Sequence, residues 1–406
     1  MNSGNPRTAV RGQAGFTLIE LVVVMGILAG FLVMLVQLVD TGLRMFGEGE
    51  LGQQFADRTS RAQRVITTEL QALRGSSTGR DRDGFGDRLV VQSLPIGLPP
   101  RPELNATHVQ VLRASIHLPV DRELALQDVF LAEQIHRESP TLDAAAVEAK
   151  VAERKLVEPL RGIGNLLLVP WRQQGTDDAL LELRVGWFLP GQRVPLGPDK
   201  EIDPFEVPVP GSPDLPGLLV YSITMPLLQD LLHVEFLLWA QQTRSWDTHG
   251  GGESGGLGPE RIWDSARGGW LVDAQSGGVF ALDRGIRSLA DTTDDIQPHA
   301  ILVRCVVATP PEQAADGLLA GELAASDTSL FLLDGGRFPG AADGGFIKID
   351  GEWMNYDERL GDELRGLRRG QRDTKAITHG AGVRVHVGHT IEFVVPVPHA
   401  KDDWNG

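Results

Sequence analysis

Residues 15–39 read GFTLIELVVVMGILAGFLVMLVQLV, an apolar run that is interrupted by one carboxylate, Glu20. At 1.5 Å per residue, a helix over residues 16–39 is about 36 Å long, which is enough to cross a hydrocarbon core of about 30 Å. The run therefore predicts a membrane-spanning helix. A charge inside such a helix costs about 2.5–3.5 kcal/mol, so Glu20 needs a specific explanation.

The charges on either side of this run predict its orientation. Arg7 and Arg11 precede it without any acidic residue, whereas Asp40, Glu48 and Glu50 follow it. By the positive-inside rule, the N-terminus lies in the cytoplasm and the large C-terminal part lies outside. A secretory signal peptide does not fit, because its apolar stretch is only about 7–15 residues long and a small-residue cleavage site follows it. A plain single-pass anchor is the remaining alternative, although it does not explain the carboxylate within the run.

The residues Gly15-Phe16-Thr17-Leu18-Ile19-Glu20-Leu21, after a short basic leader, resemble the processing signature of type IV prepilins and type II secretion pseudopilins. The resemblance implies that a membrane peptidase cuts between Gly15 and Phe16 on the cytoplasmic side and N-methylates the new terminus. Glu20 is then the fifth mature residue, which in family filaments meets the N-terminal amine of a neighbouring subunit. That amine is largely cationic at neutral pH, so the pair neutralises both charges. The alternative role for Glu20 is a carboxylate that snorkels to the nearby interface.

The bulk composition fits a folded protein of more than one structural unit. The chain has 406 residues, of which 42% are hydrophobic, with 48 Gly and 25 Pro, as in a globular and loop-rich protein of two or three units. A formal net charge of −16 excludes a nucleic-acid-binding role, because phosphate contacts need a basic face. The only cysteine, Cys305, excludes an internal disulfide and a Cys-based metal site, and its apolar surroundings predict an inert buried thiol.

The N-terminal helix is predicted to continue beyond the apolar run. Over residues 55–74, apolar side chains recur at three-to-four spacing and form one stripe that needs a partner, and Gly75 ends the helix. Glycines at positions 42, 47, 49 and 52 lie between the two halves. Each costs about 1 kcal/mol relative to alanine, so we expect that stretch to bend or melt.

From Arg88 onward, short apolar runs alternate with Pro and Gly clusters, which predicts an antiparallel β head. The predicted strands cover residues 89–92, 109–112, 180–188, 218–224, 231–239 and 301–307.

Two features of this head resemble pseudopilin J of the general secretion pathway. A strand that ends at Trp239 precedes a second Trp-bearing segment, Ile262-Trp263-Asp264-Ser265. Further on, an alternating strand follows Gln297-Pro298, where the family tends to place a Leu-Pro pair, so Gln297 departs from the pattern. The resemblance implies a minor pseudopilin, and the alternative interpretation is an unrelated β protein with a proline before a strand.

Two stretches are interpreted as insertions into the head. Residues 121–160 are charged and alanine-rich, with Ser139 as the predicted N-cap and Pro140 as the first helical residue, so we expect a helical hairpin there. Residues 318–387 are predicted to form a small all-β module, because Asp350-Gly351 separates two short strands as in a two-residue hairpin. The Asp-Gly-Glu at 350–352 and the Gly-Leu-Arg-Arg-Gly at 366–370 resemble small β modules of phage and surface proteins.

The predicted organisation has five parts. They are a prepilin leader (1–15), the N-terminal helix (16–75), the head (76–317), the inserted module (318–387) and a closing strand of the head with its tail (388–406). The module also carries the chain's only cluster of basic residues: Arg365, Arg368, Arg369, Arg372 and Lys375. The plain interpretation of this cluster is a solvated face, and the sharper hypothesis is a docking surface for an acidic partner subunit.

Catalytic and metal motifs are weak in this sequence. Residues 252–256 match the G-x-S-x-G pattern with Ser254 as nucleophile, but they lie in a glycine tract without the helix signal that the motif requires. Acidic residues at Asp291, Asp294 and Asp295 offer the oxygen ligands that calcium prefers, yet their spacing fits no calcium loop. We therefore expect no metal and no cofactor, with calcium as a minor alternative.

Taken with the resemblance, these features predict an α+β, pilin-like fold in which a long transmembrane helix packs on an antiparallel β head. The resemblance implies a non-enzymatic minor pseudopilin that initiates or caps a periplasmic pseudopilus of a type II secretion system. The alternatives are a minor type IV pilin and, from another class, a membrane-anchored periplasmic serine hydrolase that uses Ser254. The implied partners are prepilin peptidase, other pseudopilins or minor pilins and the bacterial inner membrane, with the head in the periplasm.

Overall fold

The computed structural model describes residues 18–74, 88–95, 108–155, 160–172, 180–190, 192, 194–195, 201–202, 224–240, 245–247, 261–265, 269–271, 297–308, 317–336, 338–340, 345–372 and 374–398. Contacts within the chain separate a first unit, which ends at Asp57, from a second unit, which begins at Arg58. The five-part organisation that the sequence predicts stays a prediction.

Helix α1 (Leu18–Gln71) is one α-helix of 54 residues. It runs through the glycine-containing stretch at 42–52 without interruption, so the predicted melting is wrong, and the predicted bend stays a prediction. A helix is costly to nucleate, but each further residue adds one hydrogen bond at little cost. Because helical turns already flank the stretch on both sides, the glycines join the helix despite their low helix propensity.

Among the described residues, no helix combines the length and the hydropathy that a membrane crossing requires.

The head is built on a large antiparallel sheet, whose order in the described part of the chain is β10–β9–β1–β2–β3–β4–β7–β11–β20, with β8 paired to β7. Its strands are β1 (Leu89–Pro95), β2 (His108–His117), β3 (Ile163–Arg172), β4 (Leu181–Phe188), β7 (Met225–Ala240), β8 (Ser245–Asp247), β9 (Arg261–Asp264), β10 (Gly269–Leu271), β11 (Ala300–Ala308) and β20 (Gly388–Pro396). Between β4 and β7 the chain also forms the short pair β5 (Val194–Pro195) and β6 (Glu201–Ile202).

The sheet confirms the α+β fold and most of the predicted strands. Those at 89–92, 109–112, 180–188, 231–239 and 301–307 lie in β1, β2, β4, β7 and β11. Of the predicted strand at 218–224, residues 218–223 lie outside the described part of the chain. Strand β3 was missed, and β7 begins six residues earlier than predicted, since Met225 rather than Leu231 is its first residue. Each of these two strands contains a proline, Pro170 in β3 and Pro226 in β7, that pairs with β4.

The predicted helical hairpin is present as α2 (Val120–Glu138) and α3 (Ala144–Lys155). Its predicted caps are wrong. Ser139 ends α2, because its N–H donates to the Ile135 carbonyl. Helix α3 begins four residues after Pro140, and the Asp143 carboxylate accepts the N–H of Ala146 at 2.8 Å. Helix α2 continues to Glu138 because this buries Ile135 against α3.

The residues after β11 form a second group of strands, here called the module. A five-stranded sheet has the order β12–β19–β14–β15–β18, and a three-stranded sheet has the order β13–β17–β16. The strands are β12 (Gly317–Leu318), β13 (Ser329–Phe331), β14 (Gly345–Ile349), β15 (Glu352–Tyr356), β16 (Glu358–Leu360), β17 (Glu363–Arg365), β18 (Arg368–Gln371) and β19 (Arg384–His386). The predicted Asp-Gly hairpin is confirmed, since Ile349 pairs with Glu352 and Asp350 adopts a φ of 51°.

The module is anchored on the main sheet. Leu232 of β7, Val306 of β11 and Trp353 of β15 form one buried cluster. Lys348 is 1% exposed, and its Nζ donates to the Leu232 carbonyl at 2.8 Å. The chain then returns through β20, which pairs with β11 along its whole length, so the predicted closing strand is confirmed.

Candidate functional site

The predicted processing residues lie at the very start of the chain. Gly15 and Phe16 precede Leu18, the first described residue, and therefore fall outside the described part. The backbone of Glu20 belongs to the first turn of α1, but its side chain is also outside that part. The same holds for Ser254 and for the acidic residues at 291–295. Among the described residues, no group of His, Cys, Asp and Glu is arranged to hold a metal ion.

The first part of α1 exposes apolar side chains on all sides. Its exposed large hydrophobic residues are Val22, Val23, Met25, Ile27, Leu28, Phe31, Leu32, Val33, Met34, Leu35, Val36 and Val39. These positions cover every direction around a helix with 3.6 residues per turn. A helix that is apolar all round needs apolar surroundings, such as other helices or lipid.

The last part of α1, Arg58–Gln71, belongs to the second unit and packs on the head through one face. Ala62, Ile66 and Leu70 are at most 2% exposed. This is the stripe that the three-to-four spacing predicts. Within it lies Glu69, which is only 3% exposed.

Glu69 joins α1 to two other elements of the head. Arg122 of α2 donates from Nη1 to both carboxylate oxygens, at 2.7 and 2.9 Å. Trp187 of β4 donates from Nε1 to Oε2 at 2.9 Å. The Arg122 guanidinium also lies 4.6 Å from the centroid of the Trp187 ring. The three side chains, called the Glu69 clamp below, fix helix, hairpin and sheet to one another.

A second ion pair holds the same segment of α1. Arg58 Nη1 lies 2.8 Å from Asp230 Oδ2. Asp230 sits in β7 with a φ of 55°, in the left-handed region that non-glycine residues rarely adopt. The pairing registers of β7 are irregular at this point on both sides, as expected for a bulge that redirects a side chain.

Two of the five basic residues of the module are withdrawn from the solvent. The side chain of Arg369 is only 8% exposed and is held by Glu352 at 2.7 Å. Arg372 lies 4.6 Å from the Phe346 ring centroid and 4.3 Å from that of Trp353. Burial lowers the pKa of Arg372 to about 10. The basic residues that stay exposed are Arg365, Arg368 and Lys375.

The most densely hydrogen-bonded buried site in the module centres on Glu352, whose side chain is fully buried. Arg369 donates to both of its carboxylate oxygens, at 2.7 and 2.8 Å, and the N–H groups of Gly370 and Ile377 donate to them as well. His379 Nε2 lies 2.9 Å from Glu352 Oε2. Burial opposes the charged carboxylate, but these donors outweigh it and lower the pKa of Glu352 to about 2.

His379 is held between two carboxylates. Its Nδ1 lies 2.8 Å from Asp350 Oδ2, opposite the contact of Nε2 with Glu352. Burial opposes a charged ring, but the hydrogen bonds to Asp350 and Glu352 raise the pKa of His379 above its ordinary value. Since ionised carboxylates only accept, both ring nitrogens donate. The ring therefore has no free nitrogen with which to activate a nucleophile, and the site is suited to holding the module together rather than to catalysis.

Sequence reasoning missed this network, because Glu352, Arg369 and His379 are 10–27 residues apart and meet only when the strands pair. The one available signal was the pair of motifs at 350–352 and 366–370, which contain Asp350, Glu352 and Arg369. Cys305, by contrast, is buried as predicted, and burial raises its pKa to about 12.

Replacing Glu69 by alanine is expected to destabilise the head. The change leaves the Trp187 indole N–H and the Arg122 guanidinium without their buried acceptor, which costs about 1–3 kcal/mol. Urea unfolding of the full chain, followed by circular dichroism, measures this loss. Gln63→Ala on the exposed side of the same helix is the matched control and should change the free energy of unfolding by no more than about 0.5 kcal/mol. Equal stability of the two variants would contradict the clamp.

Replacing Glu352 by glutamine is expected to destabilise the module by about 3–5 kcal/mol, because Arg369 and His379 lose their shared buried anion. The folded pKa of Glu352 is depressed, so its contribution is present above its ordinary pKa of 4.5 and is lost as the pH falls from there towards about 2. Amide hydrogen exchange in the β14–β15 hairpin reports the local free energy of opening. The exposed Glu358→Gln, on neighbouring β16, is the control and should leave exchange unchanged.

The raised pKa of His379 predicts the opposite pH dependence, a loss of module stability as the pH rises. A raised folded pKa gives stability that is complete below the ordinary pKa of 6.5 and lost as the pH rises through the folded value. Protection of the β14–β15 amides, corrected for intrinsic exchange, should therefore fall above neutral pH in the wild type. His379→Asn should remove this alkaline dependence, whereas the exposed His136→Asn on α2 should retain it. An identical pH profile in both variants would refute the role of the imidazolium.

The N-terminal part of the chain matches a known protein-family motif. Residues 10–36 match the prokaryotic N-terminal methylation motif, and this range contains Gly15, Phe16 and Glu20. No curated protein and no solved structure gives a significant match to the chain. The motif supports a type IV pilin-like protein that is anchored in the membrane, processed by prepilin peptidase and assembled with other pilin-like subunits.

Proposed function

We propose that the chain is a minor pseudopilin, a structural subunit that initiates or caps a periplasmic pseudopilus and has no enzymatic activity of its own. The observation that carries this proposal is the methylation motif at residues 10–36, which overlaps the start of the 54-residue helix α1. Cleavage between Gly15 and Phe16 places the new N-terminus directly before this helix.

The surface of α1 supports an assembly role. Its first part presents exposed apolar side chains in every direction, which suits a helix that exchanges lipid for the helices of other subunits. In such a bundle, a neighbour's N-terminal amine and the carboxylate of Glu20 would neutralise each other. Because an isolated charge in an apolar bundle is costly, this pairing also selects the axial position of one subunit relative to the next.

The size of the head supports a position at the tip. The head combines a large antiparallel sheet with the α2–α3 hairpin and the module. Repeating subunits of a shaft must pack against neighbours on all sides, and each addition to the head makes that packing harder. A tip subunit is free on one side and accommodates such additions.

Assignment to type II secretion, and to pseudopilin J within it, rests on the resemblance of the segments around Trp239, Trp263 and Gln297. These segments belong to the main sheet, where Trp263 and Gln297 are 4% and 2% exposed. A minor type IV pilin is the alternative. Deletion of the gene distinguishes the two, since a pseudopilin is needed for secretion of exported proteins and a minor pilin for surface pili.

N-terminal mass spectrometry tests the proposal. The mature protein is expected to begin with N-methylated Phe16, and the peptide that bridges Gly15 and Phe16 should persist in a strain without prepilin peptidase. Gly15→Val should block cleavage because a bulky residue then precedes the cut bond, whereas Gly12→Val in the same leader should not. A mature protein that begins with an unmethylated residue other than Phe16 would contradict the proposal.

A strain with active prepilin peptidase tests the assembly step separately from processing. Glu20→Gln keeps the shape of the side chain without its charge, so it should be cleaved normally and fail to co-purify with the other pilin-like subunits. Glu50→Gln, which lies beyond the apolar run, serves as the control and should assemble as the wild type does.

A further inference from the structure

The three-stranded sheet of the module has one buried and one exposed face. Phe331 on β13 lies opposite Glu363 on β17, which in turn lies opposite Leu360 on β16. Residues directly opposite each other in an antiparallel sheet share a face, so Phe331 and Leu360 flank Glu363 on the same side. The adjacent row contains Leu330 and Leu364, which are buried in the module core on the other side.

The exposed face continues past the end of β13. The Leu333 N–H donates to the Leu318 carbonyl at 2.9 Å, which places these two residues side by side. The side chains of Leu318, Phe331, Leu333 and Leu360 are 40%, 56%, 64% and 60% exposed. We call these four residues the apolar patch. Single exposed apolar residues are common on protein surfaces, but several together mark an interaction site.

A cavity of about 440 Å³ opens beside Phe331 and is lined in part by Leu319, Glu322, Asp327 and Leu330. Its volume is in the range of ligand-binding clefts. Asp327 accepts the N–H of Ala324 at 2.8 Å, and Glu322 makes no ion pair within the described part of the chain. The cavity therefore combines apolar walls with carboxylate groups.

Acidic residues also surround the apolar patch. The carboxylates on or beside this face belong to Glu322, Asp327, Asp334, Glu358, Asp362 and Glu363. Of the described residues, two cations lie among them, and both are engaged: Arg365 pairs with Glu363 at 2.6 Å, and Arg359 donates to backbone carbonyls. The face is therefore apolar at its centre and negative at its edge.

We propose that this face of the module docks a segment of another protein that carries large apolar side chains together with Lys or Arg residues. Apolar side chains of the segment cover Phe331 and Leu333, and a basic side chain enters the cavity beside Glu322 and Asp327. Such a segment satisfies both the apolar centre and the negative edge. This surface is separate from helix α1 and does not depend on the filament role of the chain.

Charge argues against a second copy of the same chain as the occupant. A symmetric dimer through this face would bring the carboxylates of one copy against those of the other. The chain as a whole carries a formal charge of −16, so long-range repulsion adds to the local repulsion.

Random short peptides displayed on phage provide the probe. The full chain, held in phosphatidylcholine nanodiscs, is the target, and the double variant Phe331→Ser, Leu333→Ser is used for counter-selection. Peptides that bind the wild type and not the variant are expected to be enriched in Lys or Arg and in large apolar residues. For one such synthetic peptide, Leu360→Ser or Glu322→Lys alone should weaken binding about tenfold. Raised salt should weaken it further because the charges are partly exposed.

Matched controls separate the face from the rest of the chain. Val394→Ser removes an exposed apolar side chain from β20, and Glu148→Lys makes the same charge change on α3, so neither should affect binding. Unchanged hydrogen exchange in the β14–β15 hairpin shows that each variant is folded. If the double variant is not folded, the single variants Phe331→Ser and Leu333→Ser are used in its place.

Three results overturn the proposal. The first is a set of peptides that bind wild type and variant alike. The second is a set of patch-dependent peptides that are acidic or without charge preference. The third is a dimer of the chain, detected by sedimentation, that disappears in the patch variants, because it would assign the face to a second copy.

Discussion

The buried carboxylate of Glu69 is the contact on which the arrangement of the head depends. One side chain meets α2 through Arg122 and β4 through Trp187, and both contacts are lost together if it is removed. A buried charge is tolerated only when donors surround it, so the elements that supply those donors can occupy only one position around it. The apolar stripe of α1 supplies the area for packing, and Glu69 selects which of the possible packings is adopted.

The same rule applies at two further places where separate stretches of this chain meet. Glu123 of α2 is 1% exposed and accepts the N–H groups of residues 161 and 162, which fixes the return from the helical hairpin to β3. Glu352 plays the same part in the module, where its partners come from β18 and from the segment 377–379. In each case the donors include backbone N–H groups or a planar guanidinium, which lose little conformational freedom when they bind. The hairpin and the module are therefore fixed parts of the head.

Local signals predicted the elements of this fold better than they predicted its contacts. The stripe of α1, the Asp-Gly turn and the alternating strands depend on neighbours in sequence, and the structure confirms them. Ser139 and Pro140 were misread because the same pair of residues suits the end of one helix as well as the start of the next, and only burial of Ile135 decides between them. The processing residues and Glu20 belong to a linear motif, which the match over residues 10–36 supports, and their individual roles stay predictions.

The module shows why counting charges along a sequence gives the wrong surface. Its arginines suggested a basic face, yet Arg369 neutralises Glu352 inside the core and Arg372 lies against two aromatic rings. Neither cation is therefore available to a partner at the surface. A partner in solution responds only to the field of the groups that remain exposed, and on the outer face those are mainly carboxylates around an apolar centre. The sign of the preferred partner is thus set by which charges the fold buries, and it is the opposite of the one that the module's cluster of basic residues suggests.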